Sequence, residues 1–167
     1  DNTPSTSGTN SFICRFNVQG QVRWSTYWGE RTQIYGMAIS DRRLVITGGT
    51  FVPLPTPVIS APGGATSWPP QATLGSASDA YVYAFDPLDR TNWRCYLGGS
   101  SHDGGYDVRA KGNSIYVLGT TQSTDFTTLN EPGAFNDNTF GGTTDAFLAR
   151  FSNTYTCRWS TYFGGTG

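Results

Sequence analysis

Apolar side chains first alternate at Phe12, Cys14 and Phe16, with Ile13 on the opposite face of the same extended segment. A period of two marks a β-strand, because successive side chains leave a strand on opposite sides. Asn17 to Gly20 supplies turn chemistry and Gln21 to Trp28 returns, so the pattern predicts a hairpin. That hairpin occurs three times, at residues 10 to 30 (NSFICRFNVQGQVRWSTYWGE), 79 to 99 (DAYVYAFDPLDRTNWRCYLGG) and 145 to 165 (DAFLARFSNTYTCRWSTYFGG). In each, the opening aromatic (Phe12, Tyr81, Phe147) is followed four residues on by Phe16, Phe85 or Phe151. Twelve on comes Trp24, Trp93 or Trp159, and fifteen on comes Tyr27, Tyr96 or Tyr162. The units begin 69 and then 66 residues apart, and a fixed period of this length means repeated supersecondary units that share a core.

Between the hairpins a second pair of strands recurs. Tyr35 to Ser40 turns at Asp41-Arg42-Arg43 into Leu44 to Thr50, and Tyr106 to Lys111 turns at Gly112-Asn113 into Ile115 to Thr121. Tyr35 and Gly48 are 13 residues apart, as are Tyr106 and Gly119, so each full repeat holds four strands. Long irregular segments, residues 51 to 78 and 122 to 144, lead to the next hairpin. The first carries Pro53, Pro55, Pro57, Pro62, Pro69 and Pro70 with Trp68; the second carries Ser123-Thr-Asp-Phe126 and Pro132-Gly-Ala-Phe135. Proline removes a ladder donor, so neither segment is a central strand. Their repeated position, and the shared Pro-Gly with a nearby Ala (Pro62, Ala65; Pro132, Ala134), predict ordered loops.

Four short antiparallel strands with apolar residues on both faces fit a β-propeller blade, which is sandwiched between neighbours. A two-layer sandwich would expose one face of each sheet and alternate more cleanly. The expected fold class is all-β, with two full blades preceded by the outer half of another. Residues 1 to 10 read as a linker or loop tail, 11 to 30 as the outer hairpin of a first blade, 31 to 99 as a second blade and 100 to 165 as a third. By propeller convention Tyr35 to Ser40 and Tyr106 to Lys111 are innermost, and the aromatic hairpins are the third and outermost strands. Closed propellers hold roughly four to eight blades. The expectation is therefore a segment of a longer chain, or one that takes blades from a partner.

Composition agrees with this reading: Leu and Met are scarce, while Gly, Thr, Ser and aromatic residues are common, in a chain of 167 residues with one domain as the default. Eleven basic against twelve acidic residues, with no run of like charge, give no electrostatic support for nucleic acid or an anionic membrane as partner. No stretch approaches a membrane span. Cys14, Cys95 and Cys157 make an odd count without zinc-like spacing. The blade layout places Cys14 on a third strand and the other two on the outermost strands of separate blades. That predicts three unpaired thiols, too far apart for the roughly 4.4–6.8 Å Cα separation of a disulfide.

The motifs DAF-L-A-R-F, W-S-T-Y-F-G-G, G-G-Y-D-V, I-Y-V-L-G-T-T, S-T-D-F and P-G-A-F, in that family order across nearly the whole chain, resemble the SBBP repeat, a β-propeller repeat of bacterial secreted and cell-surface proteins. The first unit departs from it, with Asn10-Ser11 for Asp-Ala, Gly29-Glu30 for Gly-Gly, and a long loop without S-T-D-F. The resemblance implies an extracellular or surface-anchored bacterial protein, including those exported by the type IX system of gliding bacteria. It implies no fixed activity, because propellers host many.

Candidate chemistry gathers where both long loops and the Gly98 to Gly105 turn are expected to emerge on one face, since loops on a rigid scaffold carry most binding residues. The candidates are His102, Asp103 and Asp107 on the turn, with Trp68, Asp125, Phe126, Asn136, Asp137 and Phe140 on the loops. His102 has no nucleophile setting around it. Asp103 with Asp125 is a carboxylate pair of the kind glycoside hydrolysis needs, set against the routine use of short acids to hold their own turns. Asn136-Asp137-Asn138, and Asp103 with Asp107, offer hard oxygen ligands without calcium-loop spacing. Asp79 and Asp145, at the start of equivalent strands, read as caps that fix the loop exit. The recurring Trp24, Trp93 and Trp159 read as blade packing. Trp68, beside Pro69-Pro70, is either a loop anchor or a ring for stacking on a sugar or a partner side chain. No cofactor is implied. The expected function is a non-catalytic propeller segment acting in adhesion, protein interaction or structural spacing, with the loop face meeting a protein or glycan. The alternative is a carbohydrate-binding or carbohydrate-active propeller using that face.

Overall fold

Ten strands and no helix form among the described residues, which in this computed structural model are 8–54, 74, 75, 77–85 and 92–166. They are β1 (Asn10–Phe16), β2 (Val22–Glu30), β3 (Thr32–Ser40), β4 (Arg43–Thr50), β5 (Asp79–Phe85), β6 (Asn92–Leu97), β7 (Asp103–Lys111), β8 (Ser114–Thr121), β9 (Asp145–Ser152) and β10 (Cys157–Phe163). Every ladder is antiparallel. Sheet I is β1-β2, sheet II is β3-β4-β5-β6, and sheet III is β7-β8-β9-β10. The all-β class, the four-stranded units and the strand order within each blade are as the repeat predicts.

The first strands of the two four-stranded sheets begin earlier than the alternation suggests, at Thr32 and Asp103 instead of Tyr35 and Tyr106. A bulge explains this. Register shifts between Ile34 and Gly36, and between Gly105 and Asp107, so pairing continues past the point where side-chain alternation breaks.

The sheets stack face to face, with β7 against β3, β4 and β5. At Gly36 of β3 the two sheets meet backbone to backbone. A Cβ built there would lie 2.9 Å from both Asp107 Cα and Val108 N of β7, so only glycine lets the two backbones approach. Sheet II is consequently covered on both sides, and Asp79 to Ala84 of β5 are buried without alternation.

Two cores result. Toward sheet III, sheet II presents Val45, Val82, Trp93, Cys95 and Leu97 against Val117, Phe147, Phe151 and Cys157. Trp93 meets Phe151 edge-on at 5.5 Å and stacks on Tyr155 at 4.8 Å. Toward sheet I, sheet II presents Ile46, Tyr81, Tyr83 and Tyr96, covered by Ile13, Trp28 and Leu54. The Trp28 indole packs edge-on against Tyr83 at 4.5 Å and donates to the Tyr81 hydroxyl at 3.1 Å. Tyr81 in turn donates to the Gln33 carbonyl at 3.0 Å, tying β2, β5 and β3 together.

Equivalent residues differ in burial at the two ends of the stack. Trp93 is 5% exposed while Trp24, expected to pack in the same way, is 39% exposed, and Trp28 takes the packing role in sheet I. The cysteines are free thiols. All three are unpaired, as expected: Cys14 is exposed, and Cys95 and Cys157 are buried in the core between sheets II and III. Burial there raises both thiols, Cys157 to about 12, so both stay protonated and unreactive.

Gly36→Ala is expected to lower stability by about 1–3 kcal/mol through overpacking against β7. Gly49→Ala, whose added methyl meets only the Asp103 carbonyl at 4.0 Å, is expected to be neutral or slightly stabilising. Urea unfolding of the two variants measures the contrast.

Candidate functional site

The turn between β6 and β7 is where the loops of sheets II and III meet. Ser78, just before β5, bridges to His102: the Asp103 amide donates to the Ser78 carbonyl at 2.8 Å, and Ser78 Oγ lies 3.0 Å from His102 Nδ1. The Gln122 amide donates to the His102 carbonyl at 2.9 Å, which brings in the loop after β8.

Carboxylates hold this junction. Asp103 Oδ2 accepts from the Gly99 amide at 2.9 Å and from Ser123 Oγ at 2.8 Å, while Ser123 Oγ accepts from the Ser101 amide at 2.9 Å. Asp125 Oδ1 accepts from the Ser100 amide at 2.8 Å and its hydroxyl at 3.0 Å. The same device recurs along the chain. Gly75 donates to Asp79 Oδ2 at 2.7 Å, and Gly141 to Asp145 Oδ2 at 2.8 Å, so Asp79 and Asp145 do cap the loop exits as expected.

Asp79 and Asp103 also face each other across the sheet boundary. A Cβ placed on Gly98 would lie 2.6 Å from Asp79 Oδ1 and 2.7 Å from Asp103 Oδ2, so the two acids close over a position that admits no side chain. They are 0% and 4% exposed. The Oδ1 atoms of Asp79, Asp103 and Asp145 are buried without a hydrogen-bond partner. Burial, with Asp103 alongside, raises Asp79 to about 6 despite the Gly75 amide. Burial also raises Asp103, against the donors from Thr121, Ser123 and Gly99. The Ser100 amide holds Asp125 below the usual carboxylate range.

Of the residues singled out from sequence, the structure thus brings together His102, Asp103 and Asp125. Asp107 is not on the turn. It lies on β7 beyond the bulge, pairs with Arg109 at 2.8 Å and accepts from the Val108 amide. Asp137 lies along β10, where its amide donates to Thr161 Oγ1 at 2.7 Å and its Oδ1 accepts from the Thr139 amide. Asn136 Oδ1 accepts from Glu131 N and Trp159 Nε1. Phe126 is buried, stacked on Phe147 at 4.7 Å, and Phe140 packs edge-on against Tyr162. Trp68 lies outside the described residues. Among the described residues no group of three or more His, Cys, Asp or Glu side chains is placed to hold a metal ion.

Sequence reasoning missed the loop anchors. The Tyr96 hydroxyl accepts from the Leu54 amide at 2.8 Å, and the Tyr162 hydroxyl donates to the Ser123 and Phe126 carbonyls at 3.0 and 3.4 Å. The recurrence of tyrosine fifteen residues into each unit was the available signal. Asp79 as the partner of Asp103 had no such signal.

Compared with known proteins, the chain matches no family model, and no curated protein matches it.

The raised Asp79 carboxyl makes stability depend on pH. The folded state binds this proton more tightly than the unfolded chain, whose value is near 3.8, so the contribution is present below that value and lost as pH rises through about 6. The urea midpoint is expected to be higher at about pH 5 than at about pH 7.5, and Asp79→Asn is expected to flatten that difference.

Proposed function

We propose that the chain is a non-catalytic β-propeller segment that serves as a scaffold for protein interaction or adhesion, at the surface of or outside a bacterial cell. The observation that carries this is where the polar groups of the loop junction are spent. Asp103, Asp125, Ser123 and Ser100 bond the turn and the loop to each other, and His102 bonds Ser78. A glycoside hydrolase needs two carboxylates flanking a cleft that admits a sugar and, in one class, a water. Asp103 and Asp79, the acids with raised affinity for protons, are shut away from solvent by their own turns. The SBBP-like motifs support the bacterial surface setting, and the stacked four-stranded sheets support the propeller reading.

Hydrolysis of a panel of chromogenic glycosides from about pH 4 to pH 8 tests the reading, with Asp103→Asn as the control. Wild type and variant are expected to show the same background. Turnover by wild type that Asp103→Asn abolishes, in a variant that still unfolds cooperatively, would overturn it. Asp125→Ala is expected to lower the melting temperature without creating or removing any activity.

A further inference from the structure

Two acids enter the junction between sheets II and III from different sheets. Asp79 opens β5 and Asp103 opens β7, with all four strands of both sheets in place around them. A Cβ on Gly98 would lie 2.6 Å from Asp79 Oδ1 and 2.7 Å from Asp103 Oδ2, so the two oxygens lie within the sum of those distances of each other, about 5.3 Å. Each carboxylate uses one oxygen on its own turn: Asp79 Oδ2 accepts from the Gly75 amide, and Asp103 Oδ2 from the Gly99 amide and Ser123 Oγ. The Oδ1 atom of each is buried with no donor, in side chains of residues 0% and 4% exposed. Asp125, which fastens the same turn through Ser100, stays exposed.

The fold does not require acids at these positions. At the junction between sheets I and II the residue at the repeat position of Asp79 is Asn10, which opens β1, and the residue at the position of Asp103 is Thr32, which opens β3. Thr32 pairs with Thr50 in its ladder as Asp103 pairs with Thr121. Thr32 is fully buried, and its hydroxyl donates to the Glu30 carbonyl at 3.0 Å and lies 2.9 Å from Thr50 Oγ1. That position is satisfied without charge. The second junction therefore holds two carboxylates that the turn geometry alone does not explain, with an oxygen of each left over inside the protein, where an uncompensated charge is costly.

We propose that Asp79 and Asp103 together hold one calcium ion at the junction of sheets II and III. Carboxylate oxygens suit a hard cation, and two of them match the charge of a divalent one. Calcium takes oxygens at roughly 2.3–2.6 Å in irregular sets, so one ion reaches two oxygens up to about 5 Å apart, close to the limit set here. Magnesium keeps several of its waters, which a pair so enclosed does not accommodate. With two acids the ion depends on neutral oxygens for its remaining places, which puts its affinity in the weak range of extracellular modules, a dissociation constant of roughly 10⁻⁴–10⁻³ M. Bound there, it ties the entry of β5 to the entry of β7 and so fastens one sheet to the next. The inference does not rest on the scaffold reading.

Equilibrium dialysis of the EDTA-stripped full chain against calcium chloride at about pH 7.5, with thermal unfolding in parallel, tests it. One calcium per chain is expected, with a melting temperature at least about 3 °C higher in roughly 5 mM calcium than in its absence. The same concentration of magnesium chloride is expected to give less than half that rise. Asp79→Asn and Asp103→Asn are each expected to weaken calcium binding at least about tenfold, while Asp107→Asn, at an acid outside the junction, binds as wild type does. Circular dichroism checks that each variant folds. A wild type that binds no calcium overturns the proposal without recourse to any variant. So does a rise that magnesium equals, binding that survives in a folded Asp79→Asn or Asp103→Asn chain, or binding that Asp107→Asn removes. None of these readouts involves glycoside turnover, so the scaffold reading stands or falls separately.

Discussion

Everything in this molecule depends on covering both faces of a four-stranded sheet. Each strand pair carries apolar residues on its two sides, so a single sheet in water would leave one full face wet, at about 25 cal/mol for every Å² of apolar surface. Stacking resolves this for sheet II by giving it a neighbour on each side. Sheet II shows the completed state, with Val45, Ile46, Tyr81 and Val82 at 0% exposure on opposite faces of the same strands. The close approach that stacking demands is met at the inner strands, where β3 and β7 touch backbone to backbone.

The same demand accounts for the buried acids. Where the chain enters β5, β7 and β9 it turns tightly from a loop into a strand, and the amides of that turn need acceptors that fit beside the sheet. Aspartate is short enough to reach an amide four residues earlier and strong enough as an acceptor to fix the turn. The second oxygen of each carboxylate is then carried into the interior without a donor, so the junction contains an electrostatic cost built into its own fastening. A wider turn would avoid that cost and would separate the sheets.

Strand order was legible because the hairpin recurs three times and the strand pair before it twice, and the aromatic spacing alone places Phe147, Trp159 and Tyr162 on one hairpin. What was not legible arises wherever a feature depends on two sheets at once. Asp79 and Asp103 belong to different units, and no local pattern says that they converge on Gly98. Asp107 was grouped with the turn although it falls inside the strand read from Tyr106, and the structure keeps it on β7, paired with Arg109. Cys95 and Cys157 were legible as unpaired thiols on separate units; that both are buried in the one core the two sheets enclose was not. Trp24 shared a position with Trp93 and not its surroundings.

The tyrosines that pin the long loops grip only main-chain groups: the amide of Leu54, and the carbonyls of Ser123 and Phe126. Such a grip is blind to side-chain identity along the intervening chain. The sequence after each anchor is therefore free to drift while the attachment stays put, proline-rich in residues 51 to 78 and threonine- and asparagine-rich in residues 122 to 144.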